Sequence, residues 1–553
     1  MTDAVTSEQR TLMFPRLTDE QIARVAAHGR PRELRQGDVL IHPGDEAVPV
    51  FVVKTGRLDV VRVSADGDES VVVIHEPGSF TGEANILLGR PALMRVQVAA
   101  PGEAIELSRE QMLSMVQNDT DIGDIIMRGY IYRRLQLVSQ GLGDVVLLGS
   151  SYCASTLRVK EFLSRNGHPF QNVDLDKEKD VEATLDHLHV SSKDVPVLIC
   201  RGTILRNPAN EEIARCLGFN ANVDRSHLRD VVIVGAGPAG LAAAVYGASE
   251  GLDVLVIEAT APGGQAGTSS RIENYLGFPT GVSGAELTSR AFSQAQKFGA
   301  QVMVAESAVS LSCETAPYRV RINGDVSVPS RTVILATGAE YRRPPLDNLS
   351  RFTGAGVYFN ATPMEAQLCG GEEVAIVGGG NSAGQAAVFL ARTVRRVYML
   401  VRGPGLASTM SRYLVRRIED SQAIEVRTDT EIVALDGTNH LETVRWRNKR
   451  TGADETRSIR HVFMMTGAVP NTGWLRSCLA LDDKGFVKTG DSLTPEDLAT
   501  WHWPLPRGPQ IFETSLPSVF AVGDVRSGSM KRVASAVGEG STAISLVHQA
   551  LAG

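Results

Sequence analysis

Three glycines, Gly235, Gly237 and Gly240, separate an apolar strand pattern from a helix pattern. In this spacing the first glycine permits a tight turn, the second lets a diphosphate approach backbone N–H groups, and the third lets the helix pack on the strand. The dipole of the helix N-terminus then stabilises the phosphates. Glu258 ends the following strand and can accept hydrogen bonds from both ribose hydroxyls. The residues that this first glycine motif predicts as dinucleotide contacts are Gly235, Gly237, Pro238, Ala239, Gly240 and Glu258.

A second glycine motif, Gly378, Gly380 and Ala383, again lies between a strand and a helix. Two such units in one chain indicate two dinucleotides, and hence electron transfer between them. The residues that this unit predicts as contacts are Gly378, Gly380, Asn381, Ser382 and Ala383.

The strand after the second helix leads to Arg402, which stands where an acidic residue would hold the ribose of NAD. A carboxylate there would repel a 2′-phosphate, whereas arginine can pair with it. We therefore expect Arg402 to contact NADPH and expect NADPH rather than NADH. The alternative is that Arg402 is a solvated surface charge.

Three changes in pattern show which elements must position these residues. Residues from about 30 to 108 alternate in strand fashion with glycine-rich turns, which predicts a β-roll, and a helical stretch follows from Ser108 to about Gln140. Residues 144–218 have the order βαβαββα, typical of a small α/β domain. From Val231 onward strands alternate with longer helices, the pattern of doubly wound parallel sheets.

Residues 229–553 resemble the low-molecular-weight thioredoxin reductase family. The resemblance is carried by GGQAGTSSRIENYLGFP at 263–279, LATGA at 335–339, and FAVGDV at 520–525 with the KRVASAVGEGSTA that comes after it. It implies FAD in 229–347 and 469–553, an NADPH domain inserted at 348–468, and a homodimer. The FAD contacts that it implies beyond the first glycine motif are Gly264, Gln265, Asn274, Gly338, Gly523 and Asp524.

The chain departs from this family where the redox CxxC should stand, just before the second glycine motif. That place has Asn360 and Pro363 in the sequence NATP, and Cys369 lies beyond it without a partner. Reduced flavin therefore has no local disulfide to which it can pass electrons. The family's arginine-rich HRR run is also reduced, to Arg402 alone.

Residues 143–222 begin with a segment that resembles a glutaredoxin of the thioredoxin-fold superfamily. Strand, Cys153 and helix follow in the expected order, and Pro196 resembles the family's cis-proline, which faces the active cysteine. Thr156 occupies the second cysteine position, so the site is at best a monothiol site. A helix N-terminus favours a thiolate, which makes Cys153 the candidate catalytic residue. The alternative is an inert thiol in a domain kept for docking.

Residues 1–142 resemble cyclic-nucleotide-binding domains through FTGEANILLGRPALMRV, which is similar to the phosphate-binding cassette. Gly82 and Glu83 match it and are the candidate ligand residues. The arginine expected after the cassette proline is replaced by Ala92, with Arg95 three residues beyond. Losing one charge-assisted phosphate bond, about 1.5–3 kcal/mol, would weaken binding about tenfold or more. A transcription-factor function is excluded because no recognition helix follows the roll.

Composition excludes several other classes. A net charge of −7 argues against a general nucleic-acid binder, and the apolar stretches are strand-length, which predicts no membrane span. The N-terminal residues have no signal-peptide pattern. Six cysteines without a CxxC exclude a zinc knuckle and a local redox disulfide, and we expect a cytoplasmic protein without a bound metal.

These observations predict a multidomain chain with a β-roll, a thioredoxin-like α/β domain and two nested Rossmann-like domains. The leading hypothesis is a FAD flavoprotein that takes hydride from NADPH and reduces a thiol/disulfide partner such as a thioredoxin, through an external relay or through Cys153. One alternative is a reductase of ferredoxin, flavodoxin or a quinone that uses no thiol. Another is a redox sensor controlled by a cyclic nucleotide or other ligand at the N-terminal domain.

Overall fold

The computed structural model describes residues 13–45, 48–63, 69–82, 92, 94–140, 145–150, 153–176, 190–200, 203–221, 223–314, 316–323, 326–407 and 409–552. Among these residues no helix has the length and apolar character needed to cross a bilayer. The same residues contain no cluster of three or more histidine, cysteine or acidic side chains arranged to hold a metal ion.

The N-terminal part is an antiparallel sheet with the strand order β1-β6-β3-β4, to which β2 adds on β6 and β5 adds on β3. The predicted β-roll is thus present. Ser108 caps the helix that follows, but Asp119 adopts an extended backbone and divides the expected helical stretch into two. The strands are β1 (Arg30–Leu34), β2 (Val39–Ile41), β3 (Val50–Val63), β4 (Glu69–His75), β5 (Phe80–Thr81) and β6 (Arg95–Leu107), and the helices are α1 (Asp19–Ala26), α2 (Arg109–Asn118) and α3 (Thr120–Gln140).

The middle part is a four-stranded sheet with the order β10-β9-β7-β8, in which only β7 and β8 are parallel. Phe162 and Leu163 on α4 pack with Ile213 on α5 over the sheet. The peptide bond between Val195 and Pro196 is cis. The elements are β7 (Val145–Gly149), α4 (Ala154–Arg165), β8 (Gln171–Asp174), β9 (Val197–Cys200), β10 (Thr203–Arg206) and α5 (Asn210–Cys216).

The first glycine motif belongs to a largely parallel sheet with the order β13-β12-β11-β16-β15-β14, to which β27 adds on β16. Strand β11 is buried on both faces: the helices α6, α7 and the last helix of the chain pack on one face, and apolar residues of β14, β15 and residues 475–487 pack on the other. The elements up to the insertion are β11 (Arg229–Val234), α6 (Pro238–Ser249), β12 (Val254–Glu258), α7 (Gly284–Lys297), β13 (Gln301–Val304), β14 (Ala308–Leu311), β15 (Tyr318–Ile322), β16 (Ser327–Leu335) and β17 (Ala339–Tyr341).

The second glycine motif belongs to an inserted parallel sheet with the order β18-β25-β19-β20-β21, beside a three-stranded antiparallel sheet, β22-β23-β24. Its elements are α8 (Leu349–Phe352), β18 (Val357–Tyr358), α9 (Pro363–Leu368), β19 (Glu373–Val377), α10 (Asn381–Leu390), β20 (Arg396–Leu400), α11 (Arg412–Glu419), β21 (Ile424–Arg427), β22 (Thr430–Gly437), β23 (Leu441–Asn448), β24 (Asp454–Arg457) and β25 (His461–Met464).

The chain then returns to the first sheet. β26 pairs with β17 in a two-stranded link between the two units, and β27 and the last helix complete the first unit. These elements are β26 (Ala468–Pro470), α12 (Pro495–Thr500), β27 (Val519–Ala521) and α13 (Val533–Ala552).

Four of the six cysteines form disulfides, Cys200 with Cys216 and Cys313 with Cys478. The absence of a CxxC does not prevent pairing, because β9 and α5 pack together and join cysteines 16 residues apart in sequence; that spacing excludes a local redox disulfide stays a prediction. Disulfides are rare in cytosolic proteins, so this pairing does not favour the expected reducing compartment.

Candidate functional site

The turn of the first glycine motif has no room for side chains at two positions. Gly235 has φ +105°, and a Cβ there would overlap the Ala336 carbonyl oxygen. A Cβ on Gly240 would overlap the Gly235 carbonyl oxygen, so this glycine lets α6 pack on the turn. Gly237 caps α6, and its nearest neighbour is the Cα of Gly264, 4.0 Å from where a Cβ would stand. The backbone N–H groups at the start of α6 are thus open to a phosphate.

Glu258 is buried at the end of β12, as its predicted role requires. Its Oε2 accepts from the N–H of Ala236 (2.8 Å), and its Oε1 accepts from the N–H groups of Thr260 (2.9 Å) and Ala261 (3.2 Å). A carboxylate offers about four acceptor positions, and three are occupied. Glu258 therefore has room for about one ribose hydroxyl, where the sequence suggested two.

A cavity of about 1110 Å³ joins the two glycine motifs. Gly240 does not line it, since it packs against the turn at Gly235, and neither do Gly378, Gly380, Ala383 and Arg402. The predicted residues that do line the cavity are Gly235, Gly237, Pro238, Ala239, Glu258, Gly264, Gln265, Asn274, Gly338, Gly523 and Asp524 from the FAD set, and Asn381 and Ser382 from the nicotinamide set.

The chemistry of this lining fits a dinucleotide. A Cβ on Gly264 would lie 3.0 Å from the Cα of Gly237, so the two glycines form a close backbone cradle. Burial raises the pKa of Asp524, and the nearby Lys531 opposes that shift. Gln265 donates from Nε2 to the Ala339 carbonyl oxygen, which fixes its side chain at the wall.

The second glycine motif matches the first at its first two glycines and differs at its third position, which is Ala383. Gly378 requires glycine because a Cβ would overlap the Met465 carbonyl oxygen, but Gly380, which caps α10, has no neighbour closer than 3.9 Å. Asn381 accepts from the Ser411 N–H at 2.7 Å through Oδ1. Arg402 is exposed and has no ion-pair partner among the described residues, so its guanidinium is available to bind a phosphate group.

The place of the missing CxxC faces the cavity. Asn360 lines it, with Oδ1 3.2 Å from the Thr268 hydroxyl oxygen, and Pro363 is exposed at the start of α9. Cys369 is fully buried, its Sγ donates to the Glu365 carbonyl oxygen at 3.2 Å, and burial raises its pKa to about 12. Cys369 is thus a structural residue and does not replace the missing pair.

Cys153 caps the N-terminus of α4, as predicted, and is half-buried. It does not line the cavity, whereas Arg165 at the other end of α4 does. A 12-residue helix is about 18 Å long. Close to Cys153, the Cβ of Ala154 lies 2.8 Å from where a Cβ on Gly354 would stand. The structure therefore places Cys153 at the border with the inserted domain and away from the cavity.

At the N-terminal domain, Glu83 lies outside the described residues. Gly82 has φ +96°, and a Cβ there would overlap the Pro49 carbonyl oxygen. The backbone therefore requires glycine at this position whether or not a ligand binds. Ala92 is buried. Arg95 is bonded to Glu69 through its guanidinium. The structure thus gives no substitute for the cassette arginine among the described residues.

Sequence reasoning missed six charged residues of the cavity wall: Arg165, Glu306, Glu340, Arg343, Lys531 and Arg532. Lys531 begins a segment that carries the resemblance, so motif comparison could have found it. Arg165 comes from the middle domain and Glu306 from the turn after β13, and neither belongs to a motif.

Comparison with known proteins agrees with this geometry. Residues 229–540 match the family described as pyridine nucleotide-disulphide oxidoreductase, and residues 31–119 match the cyclic nucleotide-binding domain. A thioredoxin reductase from Mycolicibacterium smegmatis is 33% identical over 57% of this chain and 94% of its own length. A bifunctional thioredoxin reductase/thioredoxin from Mycobacterium leprae is 30% identical over 57% of this chain and 64% of its own length.

A solved structure extends the likeness to three dimensions. The thioredoxin reductase of T. acidophilum superposes with a TM-score of 0.53 at 27% identity, over 59% of this chain and all of that one. The matched region contains both glycine motifs and every lining residue of the cavity except Arg165. The chain therefore belongs to the pyridine nucleotide-disulphide oxidoreductase family and is a FAD-dependent NAD(P)H oxidoreductase related to thioredoxin reductases.

Proposed function

We propose that this enzyme takes electrons from NADPH and reduces a disulfide on a thioredoxin-like partner, with Cys153 as the relay thiol. The observation that carries the first half is the single cavity lined by Gly237 of one glycine motif and Ser382 of the other. FAD, when bound, supplies the two-electron chemistry, since it accepts hydride and releases the electron pair to an acceptor.

The chain's own residues bind and orient in this half-reaction. The open N-termini of α6 and α10 would bind the two diphosphates, and Glu258 would hold a ribose. Arg402 pairs with the 2′-phosphate of NADPH. None of the described residues needs to act as a general acid or base, because hydride transfer depends on positioning.

The second half needs a thiol, and Cys153 has the chemistry for it. Its thiolate attacks the partner disulfide RSSR, which gives a mixed disulfide Cys153–S–S–R and one RSH. The electron pair of NADPH, with one proton, would then reduce the mixed disulfide to the Cys153 thiol and a second RSH; FAD, held by the first glycine motif, would supply the redox chemistry that connects the two. The sum is NADPH + H⁺ + RSSR → NADP⁺ + 2 RSH, so electrons and protons balance.

The arrangement of the middle domain supports this role. Strand β7, Cys153 and helix α4 follow one another in the order that the resemblance to glutaredoxins predicts. The Mycobacterium leprae relative is named for a reductase joined to a thioredoxin, which sets a precedent for a fused redox module. Because Cys153 lies off the cavity, the relay requires the border between α4 and the inserted domain to open.

A second candidate is a reductase of ferredoxin, flavodoxin or a quinone that uses no thiol. It is favoured by Asn360, which lines the cavity where the redox cysteines of the family stand, and by the burial of Cys369. The homodimer and the cytoplasmic location stay predictions of the family resemblance.

The test is an anaerobic NADPH titration of the full chain followed by two acceptor assays, with wild type and Cys153→Ser. Flavin reduction should be equal in both proteins, and disulfide reduction should be lost in the variant. Disulfide reduction retained by the variant contradicts the relay. Ferredoxin or quinone reduction at undiminished rate in the variant, with no disulfide activity in wild type, establishes the second candidate instead.

A gain of function sharpens the same test. Asn360→Cys combined with Pro363→Cys restores the family's dithiol beside the cavity. This double variant should reduce disulfides even when Cys153→Ser is added, because the relay is no longer needed. No activity in the triple variant would contradict the placement of the acceptor side at Asn360.

A further inference from the structure

The middle domain reaches into the loop that follows β12, which forms one wall of the cavity. Arg165, the last residue of α4, donates from Nη2 to the carbonyl oxygens of Gly264 (3.0 Å) and Ala261 (3.4 Å). Asn166, which is almost fully buried, donates from Nδ2 to the Thr260 carbonyl oxygen at 3.1 Å. Two consecutive side chains of one domain thus hold the backbone of a loop in another.

The turn after β13, at a second wall of the cavity, is held in the same way. Asn220 donates from Nδ2 to the Val304 carbonyl oxygen (2.8 Å), and its Oδ1 accepts from the Val304 N–H (3.0 Å). Ala305, with φ +56°, is buried in the apolar core of the middle domain. Arg225, in the linker, forms a 2.8 Å ion pair with Glu306, which lines the cavity.

Arg165 also brings a positive charge to the phosphate-binding turn. It lines the cavity together with Gly237 and Pro238. The Gly264 carbonyl that it contacts belongs to the residue packed against Gly237. The carboxylate that pairs with Arg165 is that of Glu161, and it lies 3.4 Å from Nη1. This ion pair is long, so the guanidinium keeps much of its positive charge for a second anion.

We propose that the middle domain is part of the FAD site. Arg165 pairs with the FAD diphosphate, and Arg165, Asn166 and Asn220 hold the two cavity loops in the shape that binds the cofactor. Flavin binding and docking of the middle domain are then thermodynamically coupled, so each strengthens the other. This inference rests on the FAD site alone and is independent of the electron acceptor.

The experiment measures FAD affinity of the full-length apoprotein by flavin fluorescence, for wild type, Arg165→Met, Arg165→Lys and Asn220→Ala. The matched control is Arg215→Met, which removes an exposed arginine from α5 of the same domain. We expect Kd to rise about tenfold or more in Arg165→Met, to rise less in Arg165→Lys and to rise in Asn220→Ala. Arg215→Met should stay within about twofold of wild type, as expected for a surface change.

Circular dichroism of each apoprotein verifies folding before titration. An Arg165→Met protein that is folded and binds FAD within about twofold of wild type would overturn the proposal. Ligand fragments test the charge directly: ADP should lose affinity in Arg165→Met, whereas adenosine should not. Equal weakening of ADP and adenosine would overturn the pairing of Arg165 with the diphosphate.

Discussion

The two glycine motifs, which we propose bind FAD and NADPH, differ in how firmly the surrounding fold holds their residues. In the first motif Gly240 is packed against the turn, and Glu258 is buried under three backbone N–H bonds. In the second, Ala383 replaces the third glycine, and Arg402, the counterpart of Glu258, is exposed.

The difference between a buried first site and an exposed second site agrees with the different roles of FAD, which stays bound, and NADPH, which exchanges in each cycle. A buried, fully anchored site suits a group that stays bound through many turnovers, because its binding groups are pre-positioned. An exposed charge suits a coenzyme that must enter and leave in each cycle, since surface ion pairs are weak and quickly exchanged. The first motif should therefore tolerate less change than the second.

The largest effect is expected from Gly240→Ala. The new Cβ would overlap the Gly235 carbonyl oxygen and force α6 away from the turn. We expect purified protein without flavin, measured as the ratio of flavin to protein absorbance. The control is Gly380→Ala in the second motif, where a Cβ has no neighbour closer than 3.9 Å and flavin content should be normal. Full flavin content in Gly240→Ala would contradict the proposal that the first glycine motif tolerates less change than the second.

Glu258→Gln should come next. The change keeps the shape of the side chain but removes the charge that accepts three backbone N–H bonds, each worth about 1.5–3 kcal/mol. We expect FAD affinity to fall about tenfold or more and the free energy of unfolding to decrease. Glu340→Gln, an exposed carboxylate at the same cavity, is the control. If both variants behave alike, the burial of Glu258 has no special role.

A smaller effect is expected from Arg402→Leu. Loss of an exposed charge opposite the 2′-phosphate should raise KM for NADPH about three- to tenfold and leave KM for NADH unchanged. Salt should raise the KM of wild type for NADPH more than that of the variant. Arg392→Leu, another exposed arginine of the inserted domain, is the control. An equal rise in KM for both coenzymes would contradict the role of Arg402.

The smallest effect is expected from Ser382→Ala at the start of α10. One neutral hydrogen bond contributes about 0.5–1.5 kcal/mol, which is about two- to tenfold in affinity, and a half-open site lies at the lower end. Steady-state KM for NADPH measures it, with FAD content as the reference that should not change. An effect larger than that of Arg402→Leu would reverse the order proposed here.

The sequence predicted the two motifs because their chemistry is local. Each of three glycines is required by the backbone of its own strand–helix turn, so spacing alone identifies them: Gly235 and Gly240 in the first motif and Gly378 in the second. The anchoring of Glu258 by Ala236, Thr260 and Ala261 was not predictable, since it depends on how two turns pack.

Contacts between distant segments account for the other omissions. Arg165 reaches the cavity from another domain, and its separation from Gly264 is 99 residues. The disulfide between Cys200 and Cys216 follows from packing of β9 on α5, which no spacing rule describes. Similarly, Cys153 was correctly placed at a helix N-terminus, but its distance from the cavity depends on how α4 is docked.

The two ends of helix α4 make different kinds of contact with the rest of the protein. Arg165 and Asn166 are hydrogen-bonded to the FAD domain, whereas near Cys153, among the described residues, Ala154 lies against Gly354 and Leu157 packs on an apolar surface of the inserted domain. Apolar contacts slide apart more readily than hydrogen-bonded ones. If the inserted domain turns, α4 should therefore behave as a lever pivoted at Arg165, and the end that swings free is the one that carries the Cys153 thiol.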